Sequence, residues 1–333
     1  MNRISERKII LIYRDTRLDE LIRRYNTREQ VRFYLESRSQ SFADYDEEDR
    51  EMKSVIRDIS RELASLGRVQ PLERSFLPNF LFGPDDIPLV VGQDGLVANV
   101  LKYLQGQPLV AVNPLPEVFD GILLPFSPSD VSAVVRSLIA SDEMTIKSVS
   151  LARADFNDGQ SMLAVNDFYI GPKLPVSVRY CIELDGQKEN QSSSGVIVST
   201  GLGATGWMSS LIAGAEGISG KEIAPFAGDW AAQDLMFGVR EPFRSNTTST
   251  DIVYGRIQPG KKLVLSSYVP EGGVVFSDGI VSDAIDFNAG THVSIRLSEQ
   301  QGYLVSRSEI EIGWFRQWGA MARRMTVVAG SWF

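Results

Sequence analysis

Three short segments carry residue types and spacings that could do chemistry. In the first, Gly92-Gln93-Asp94-Gly95-Leu96, a carboxylate stands between two glycines. It follows the continuous apolar run Ile87–Val91 and precedes a helical pattern through Val97, Val100, Leu101 and Leu104. A turn between a buried strand and a helix presents backbone N–H groups at the carboxyl edge of a sheet. Open α/β sheets bind ligands there, and a helix N-terminus favours phosphate. Asp94 in that place can take a proton from a hydroxyl nucleophile or orient a bound metal. It can equally be a plain helix cap, and the segment alone does not decide between the two.

The second segment is Asn166-Asp167, two polar residues inside the otherwise apolar run Met162–Ile170. Burying such a pair without partners is costly. Successive strand residues point to opposite faces, so the pair reads as an irregular strand end. A solvent-facing bulge is the plainer explanation. The chemical one is an amide and a carboxylate gripping ribose hydroxyls or a base edge.

The third segment runs from Ser199 to Trp207, and its Gly201, Gly203 and Gly206 formally satisfy G-x-G-x-x-G. A dinucleotide-binding Rossmann unit also needs a second strand ending in an acidic residue about 20 positions on. Gly217–Trp230 supplies no such strand, so an oxidoreductase is a distant reading.

These segments need elements to hold them. Lys8–Arg14 reads as a buried strand, Thr16–Ser37 and Glu47–Leu66 as helices, Leu109–Asn113 as a strand and Ser127–Ser141 as a helix. The acidic run Asp44–Asp49 reads as a solvated loop and helix start. Such strand–helix alternation predicts an N-terminal α/β domain over residues 1–142, with a parallel sheet covered on both faces. From 143 to 308 the chain turns to short alternating runs separated by turn signals such as Asp185-Gly186 and Pro259-Gly260. They predict a mostly antiparallel β domain, with one helix over Ala204–Ala215. Residues 309–333 contain Trp314 and Trp318 at helical spacing and are expected to pack back on another element.

Composition removes several function classes. The 333 residues carry 34 Lys and Arg against 42 Asp and Glu, a net charge of -8. That balance offers no field for nucleic acid or an anionic membrane. A single cysteine, Cys181, and a single histidine, His292, leave neither a zinc site of the usual kind nor a Cys/His dyad. No metal-ligating residues are assigned. No run approaches the ~18 apolar residues of a membrane span, and a cytoplasmic location is expected.

Taken together, the three segments resemble the NAD kinase family, and most closely its mitochondrial-type branch. The family's GGDG loop matches Gly92–Gly95, its Asn-Glu or Asn-Asp pair matches Asn166-Asp167, and its STPTGSTAY-like segment matches Ser199–Trp207. The resemblance runs from about Lys8 to about Leu304. It takes in the mitochondrial-type features Arg32–Ser37, Ser192–Gly195, Arg240-Glu241-Pro242 and Phe276–Asp278.

It implies a fold of the NAD-kinase and diacylglycerol-kinase kind, and phosphorylation of the adenosine ribose 2′-hydroxyl of NAD by ATP with Mg2+. Asp94 would be the base. Gly92, Gln93, Gly95, Asn166, Asp167, Thr200, Gly203, Thr205, Gly206 and Trp207 would bind nucleotide, with Arg240 or Arg244 adding charge. It also implies a homo-oligomer. The chain departs from the family at Gln93, which replaces a glycine and disfavours positive φ, and at Leu96, which replaces a threonine hydroxyl. Those departures keep two alternatives open: a nucleotide-binding sensor without transfer, and a same-fold kinase for a sugar or lipid hydroxyl.

Overall fold

The computed structural model describes residues 3–119, 121–223 and 228–307. The expected helix with Trp314 and Trp318 lies outside them.

The first half is built from β1 (Lys8–Tyr13), α1 (Arg17–Tyr25), α2 (Arg28–Glu36), α3 (Phe42–Leu63), β2 (Arg68–Glu73), β3 (Ile87–Val91), α4 (Asp94–Leu101), β4 (Val110–Val112) and α5 (Val131–Ala140). The strands form one parallel sheet in the order β2-β1-β3-β4. Strand residues alternate between its faces. Ile10, Ile12 and Val90 pack with α4 on one side. Ile9, Leu11, Leu89 and Val91 pack with α3 and α5 on the other. A sheet buried on both faces explains why β1 and β3 read as unbroken apolar runs.

The structure corrects three sequence expectations here. Thr16–Ser37 is two helices: Asn26 turns into positive φ at 70° and ends α1, and Thr27 then caps α2. The acidic run is helix, not loop, because the spacing Phe42, Asp49, Met52 keeps one face of α3 inward. Asp49 is buried and accepts from the Thr16 hydroxyl at 2.5 Å and the Lys53 ammonium at 2.7 Å. Strand β2 went unread because RVQPLE is polar and contains Pro71, which an edge strand tolerates.

The second half comprises β5 (Thr145–Phe156), β6 (Ser161–Ala164), β7 (Asp167–Pro172), β8 (Val178–Leu184), β9 (Gln187–Ser193), β10 (Val196–Ser199), α6 (Trp207–Ser219), β11 (Leu235–Val239), β12 (Tyr254–Ile257), β13 (Leu263–Ser267), β14 (Gly273–Ser277), β15 (Ile285–Asp286) and β16 (His292–Ser306). Two six-stranded antiparallel sheets, β12-β11-β10-β7-β14-β15 and β6-β5-β16-β13-β8-β9, close on a shared apolar core. The run Met162–Ile170 is therefore two strands in different sheets, and the crossing falls at Val165-Asn166.

The halves are joined through β16, the longest strand of the sandwich. Leu109 N–H donates to the Tyr303 carbonyl at 2.8 Å, and Val305 N–H donates back to Leu109 at 2.9 Å. Leu304 enters the N-terminal core beside Val149 and Leu151 of β5. The parallel sheet thus continues past β4 onto the end of a strand from the other half.

Replacing Asp49 by alanine removes a buried acceptor from the Thr16 hydroxyl and the Lys53 ammonium and leaves both to Asp19 alone. A loss of about 1–3 kcal/mol is expected in denaturant titration. Asp58→Ala, which removes only an exposed partner of Arg61, is expected to change stability by less than about 0.5 kcal/mol.

Candidate functional site

The Gly92–Leu96 turn lies where β3 ends and α4 begins. A Cβ on Gly92 would stand 2.9 Å from the Leu96 side chain, so this glycine makes room for a leucine that is itself buried in the core. Gln93 has φ −113° and ψ 164°, extended backbone that any residue adopts. The expected conflict between Gln93 and positive φ therefore does not arise. Its side chain is exposed. Asp94 opens α4, and its carboxylate accepts from Leu123 N–H at 2.8 Å and Ile122 N–H at 3.1 Å.

Beside this turn is a cavity of about 330 Å³, lined among others by Gly92, Gln93, Gly95, Leu96, Asp278 and the arginines Arg14, Arg17 and Arg74. Arg14 pairs with Glu20 and Arg17 with Glu48. Arg74 instead donates to the Asn99 carboxamide at 3.3 Å and makes no salt bridge among the described residues. Asp15 and Glu48 line the same cavity, so its charge is mixed, and Arg74 beside the helix start is the group best placed to meet a phosphate.

Asn166 and Asp167 sit where the chain crosses between sheets, and one residue holds the crossing. The Asp278 carboxylate accepts from Val165 N–H at 3.0 Å and Asn166 N–H at 2.7 Å, while Asp278 N–H donates to the Asp167 carbonyl at 2.9 Å. Asp278 adopts φ 54°, a left-handed conformation that aspartate tolerates better than most residues.

Its charge partner is Lys102, just past α4, with Nζ 3.8 Å from Asp278 and 3.0 Å from the Ser277 hydroxyl. Burial pushes the Asp278 carboxyl up and the Lys102 ammonium down, and each charge opposes that drift in the other. Asp278 thus joins the turn carrying Asp94 to the pair Asn166-Asp167. Asp167 is itself buried; desolvation, and then the nearby Asp278 carboxylate, push it up to about 7.

The glycine segment packs on the same crossing. Thr200 is wholly buried; its hydroxyl donates to the Val165 carbonyl at 2.5 Å and accepts from Gly203 N–H at 3.2 Å. A Cβ at Gly203 would collide with the Asn166 carbonyl, and one at Gly201 with the Asp229 carbonyl. These two glycines serve close backbone approach. Strand β10 lies between antiparallel neighbours β7 and β11, so the segment is no Rossmann turn.

Thr205 and Gly206 are exposed at the start of α6. Trp207 stacks on Tyr169 with centroids 5.3 Å apart at 9°, and Tyr169 also meets Phe276 at 5.0 Å. Arg240 lies 5.5 Å from the Trp207 ring. Tyr169, Trp207, Phe276 and Arg240 line a second cavity of about 430 Å³ with Ser194 and Lys173, and Thr205 and Gly206 are not part of its lining. Arg244 makes an exposed pair with Asp251 at 3.0 Å.

Sequence reasoning missed Lys102 and the role of Asp278. The Ser277-Asp278-Gly279 turn was visible as part of a motif, but only the fold carries its carboxylate across to residues 165–167. Lys102 had one signal, a lysine directly after the apolar stretch Leu96–Leu101. Lys102→Met leaves Asp278 buried without its cation and is expected to cost about 3–5 kcal/mol in denaturant titration. Adding Asp278→Asn is expected to recover part of that loss, a coupling that a double-mutant cycle reads directly.

No family model matches the chain, and no curated protein matches it. Solved structures do. An NAD kinase from Archaeoglobus fulgidus in complex with ATP aligns with TM-score 0.55 and 15% identity over 91% of this chain and 94% of its own. Yeast NADH kinase complexed with NADH aligns with TM-score 0.54 and 15% identity over 92% of this chain and 85% of its own. An N-terminal parallel α/β layer joined to a C-terminal antiparallel sandwich, matched over nine-tenths of the chain, is the fold of NAD kinases.

Proposed function

We propose that the chain is a kinase of the NAD kinase type, nearest the mitochondrial branch, transferring the γ-phosphoryl group of ATP to the 2′-hydroxyl of the adenosine ribose of NAD. The observation that carries this is Asp278. It is one buried residue that lines the cavity beside the Asp94 turn and also holds Asn166-Asp167 in place. That supports a donor position beside the Asp94 turn next to an acceptor position at Asn166-Asp167.

Asp94 accepts the proton of the 2′-hydroxyl as the new oxygen–phosphorus bond forms and the β–γ bridge bond breaks, leaving ADP and NADP. Asn166 and Asp167 hold ribose hydroxyls or the adenine edge. The cavity beside the Asp94 turn takes the donor phosphates with Arg74 toward them, and positioning and charge supply most of such a catalysis. Trp207, stacked on Tyr169, gives an adenine or nicotinamide a flat neighbour. Among the described residues no three His, Cys, Asp or Glu gather as a metal site. Mg2+ would enter with the nucleotide and supply charge neutralisation on the phosphates. No helix of the described residues is long and apolar enough to cross a membrane. A cytoplasmic homo-oligomer remains part of the proposal.

One observation favours a nucleotide-binding protein without transfer. Leu96 is buried, so the helix start offers no hydroxyl to phosphate or metal. An assay with ATP, Mg2+ and NAD separates the two readings. Turnover is expected in the wild type, with a loss of roughly 100-fold or more in Asp94→Asn and NAD still raising the melting temperature of both. NAD binding without turnover in the wild type would sink the kinase reading.

Asp167 sets a pH dependence. With its folded-state value near 7, against about 3.9 for a free aspartate, the native state keeps a proton that the unfolded chain releases. The resulting stability is complete below about pH 4 and is lost as pH rises to about 7. Asp167→Asn is expected to abolish that decline in denaturation midpoints measured across the range. Ionised Asp167 accepts at both oxygens through charge-assisted bonds, which are stronger than those to the neutral acid, so NAD affinity by calorimetry is expected to strengthen from pH 6 to pH 8 and to stay flat in the variant.

A further inference from the structure

The Asp94 carboxylate is gripped on both oxygens by backbone, Oδ1 by Leu123 N–H and Oδ2 by Ile122 N–H. Those amides belong to the loop between β4 and α5, and the loop has a clasp of its own. Asn113, directly after β4, is 6% exposed and so has almost no access to water. Its N–H donates to the Phe126 carbonyl at 2.8 Å. Its carboxamide donates to the Phe119 carbonyl at 2.9 Å and accepts from Leu115 N–H at 3.1 Å.

Gly121 answers the same clasp from the other side. Its φ is 63°, and a Cβ there would stand 2.6 Å from the Asn113 carboxamide nitrogen and 3.3 Å from Leu124. Leu123 and Leu124 are buried in the core that also contains Leu96 and Val97 of α4. The amides facing Asp94 are thus fixed by leucine packing on one side and by Asn113 on the other.

We propose that Asn113 is a positioning residue for Asp94: its carboxamide folds this loop so that the amides of residues 122 and 123 hold the base in one orientation. The proposal rests on the reading of Asp94 as the base. An ionised carboxylate has about four lone-pair sites. Two are taken by the amides, which stop rotation of the group, and the others stay open to a hydroxyl proton. A displacement of about 1 Å at a reacting group costs on the order of 100-fold in rate. Asn113 therefore acts on the chemistry without touching substrate. A clasp that only stabilised the loop would leave the rate constant alone.

The test pairs hydrogen exchange with kinetics on the full chain, using wild type, Asn113→Ala and Asp94→Ala. Gly121→Ala is a second route into the clasp should Asn113→Ala fold poorly. Slow exchange at residues 121–124 is expected in the wild type, faster by about 10-fold in each variant. In Asn113→Ala and Gly121→Ala, kcat for NADP formation is expected to fall roughly 10- to 100-fold with KM for NAD nearly unchanged. Faster exchange with an unaltered kcat overturns the proposal, as does a loss confined to melting temperature. A wild type with no turnover refutes the kinase reading and leaves the clasp to the exchange data. There, unchanged protection at 121–124 in Asn113→Ala refutes the clasp independently.

Discussion

A carboxylate in the interior of a protein has to be surrounded by donors, and this requirement, met at Asp278, organises the molecule. Three groups satisfy the Asp278 carboxylate: the amides of Val165 and Asn166 and the ammonium of Lys102. Amides, lysine and aspartate come from three different parts of the chain. The amides belong to the crossing between the two sheets of the sandwich, the lysine follows the helix that begins at Asp94, and the aspartate follows β14. Loss of the ion pair would cost more than its formation gains, because what remains is an unpaired buried charge. The pair therefore specifies how the halves meet more than it holds them together. The glycine segment, the Asn-Asp pair and the arginine cavity all take their places from that junction.

The local rules that make each piece are simple by comparison. Continuous apolar runs became β1, β3 and β4 because both faces of the parallel sheet are covered. The Asn166-Asp167 irregularity was legible as such, since two adjacent polar residues cannot both face one core. That it marks a crossing between sheets was not legible, because the hydrophobic period of a strand carries no record of its partners. Polar strands such as Gln187–Ser193, and Arg68–Glu73 with its proline, were invisible to the same period. Their place at sheet edges removes the need for it.

At the candidate site, the residues readable in advance are those whose motif is contiguous: Asp94 in its turn, the Asn-Asp pair, the glycines. Residues that act across the fold were not readable. Thr200 looked like a ligand contact, and its hydroxyl instead bonds to the Val165 carbonyl. Gln93 looked like an obstruction, and it stands before α4 in extended backbone that any residue adopts, with no capping bond from its side chain. Asp49 lay in a run of acids that reads as solvated, yet α3 turns that one carboxylate inward to Thr16 and Lys53. In each case the residue type was plain and the direction of its side chain was set by tertiary packing.

The seam between Leu109 and the end of β16 has a consequence for how the chain is made. Phe126 of the same half covers the far end of the β4 edge, but Leu109 at its start meets its neighbour only when residues 303–305 arrive, after nearly all of the sandwich has been synthesised. Until then the nascent N-terminal half carries an open strand edge, the kind of surface that recruits other chains. Closing so long a loop is entropically slow. During translation, the first half must therefore stay soluble with its sheet unfinished. The short length of β4, three residues, keeps that open edge small.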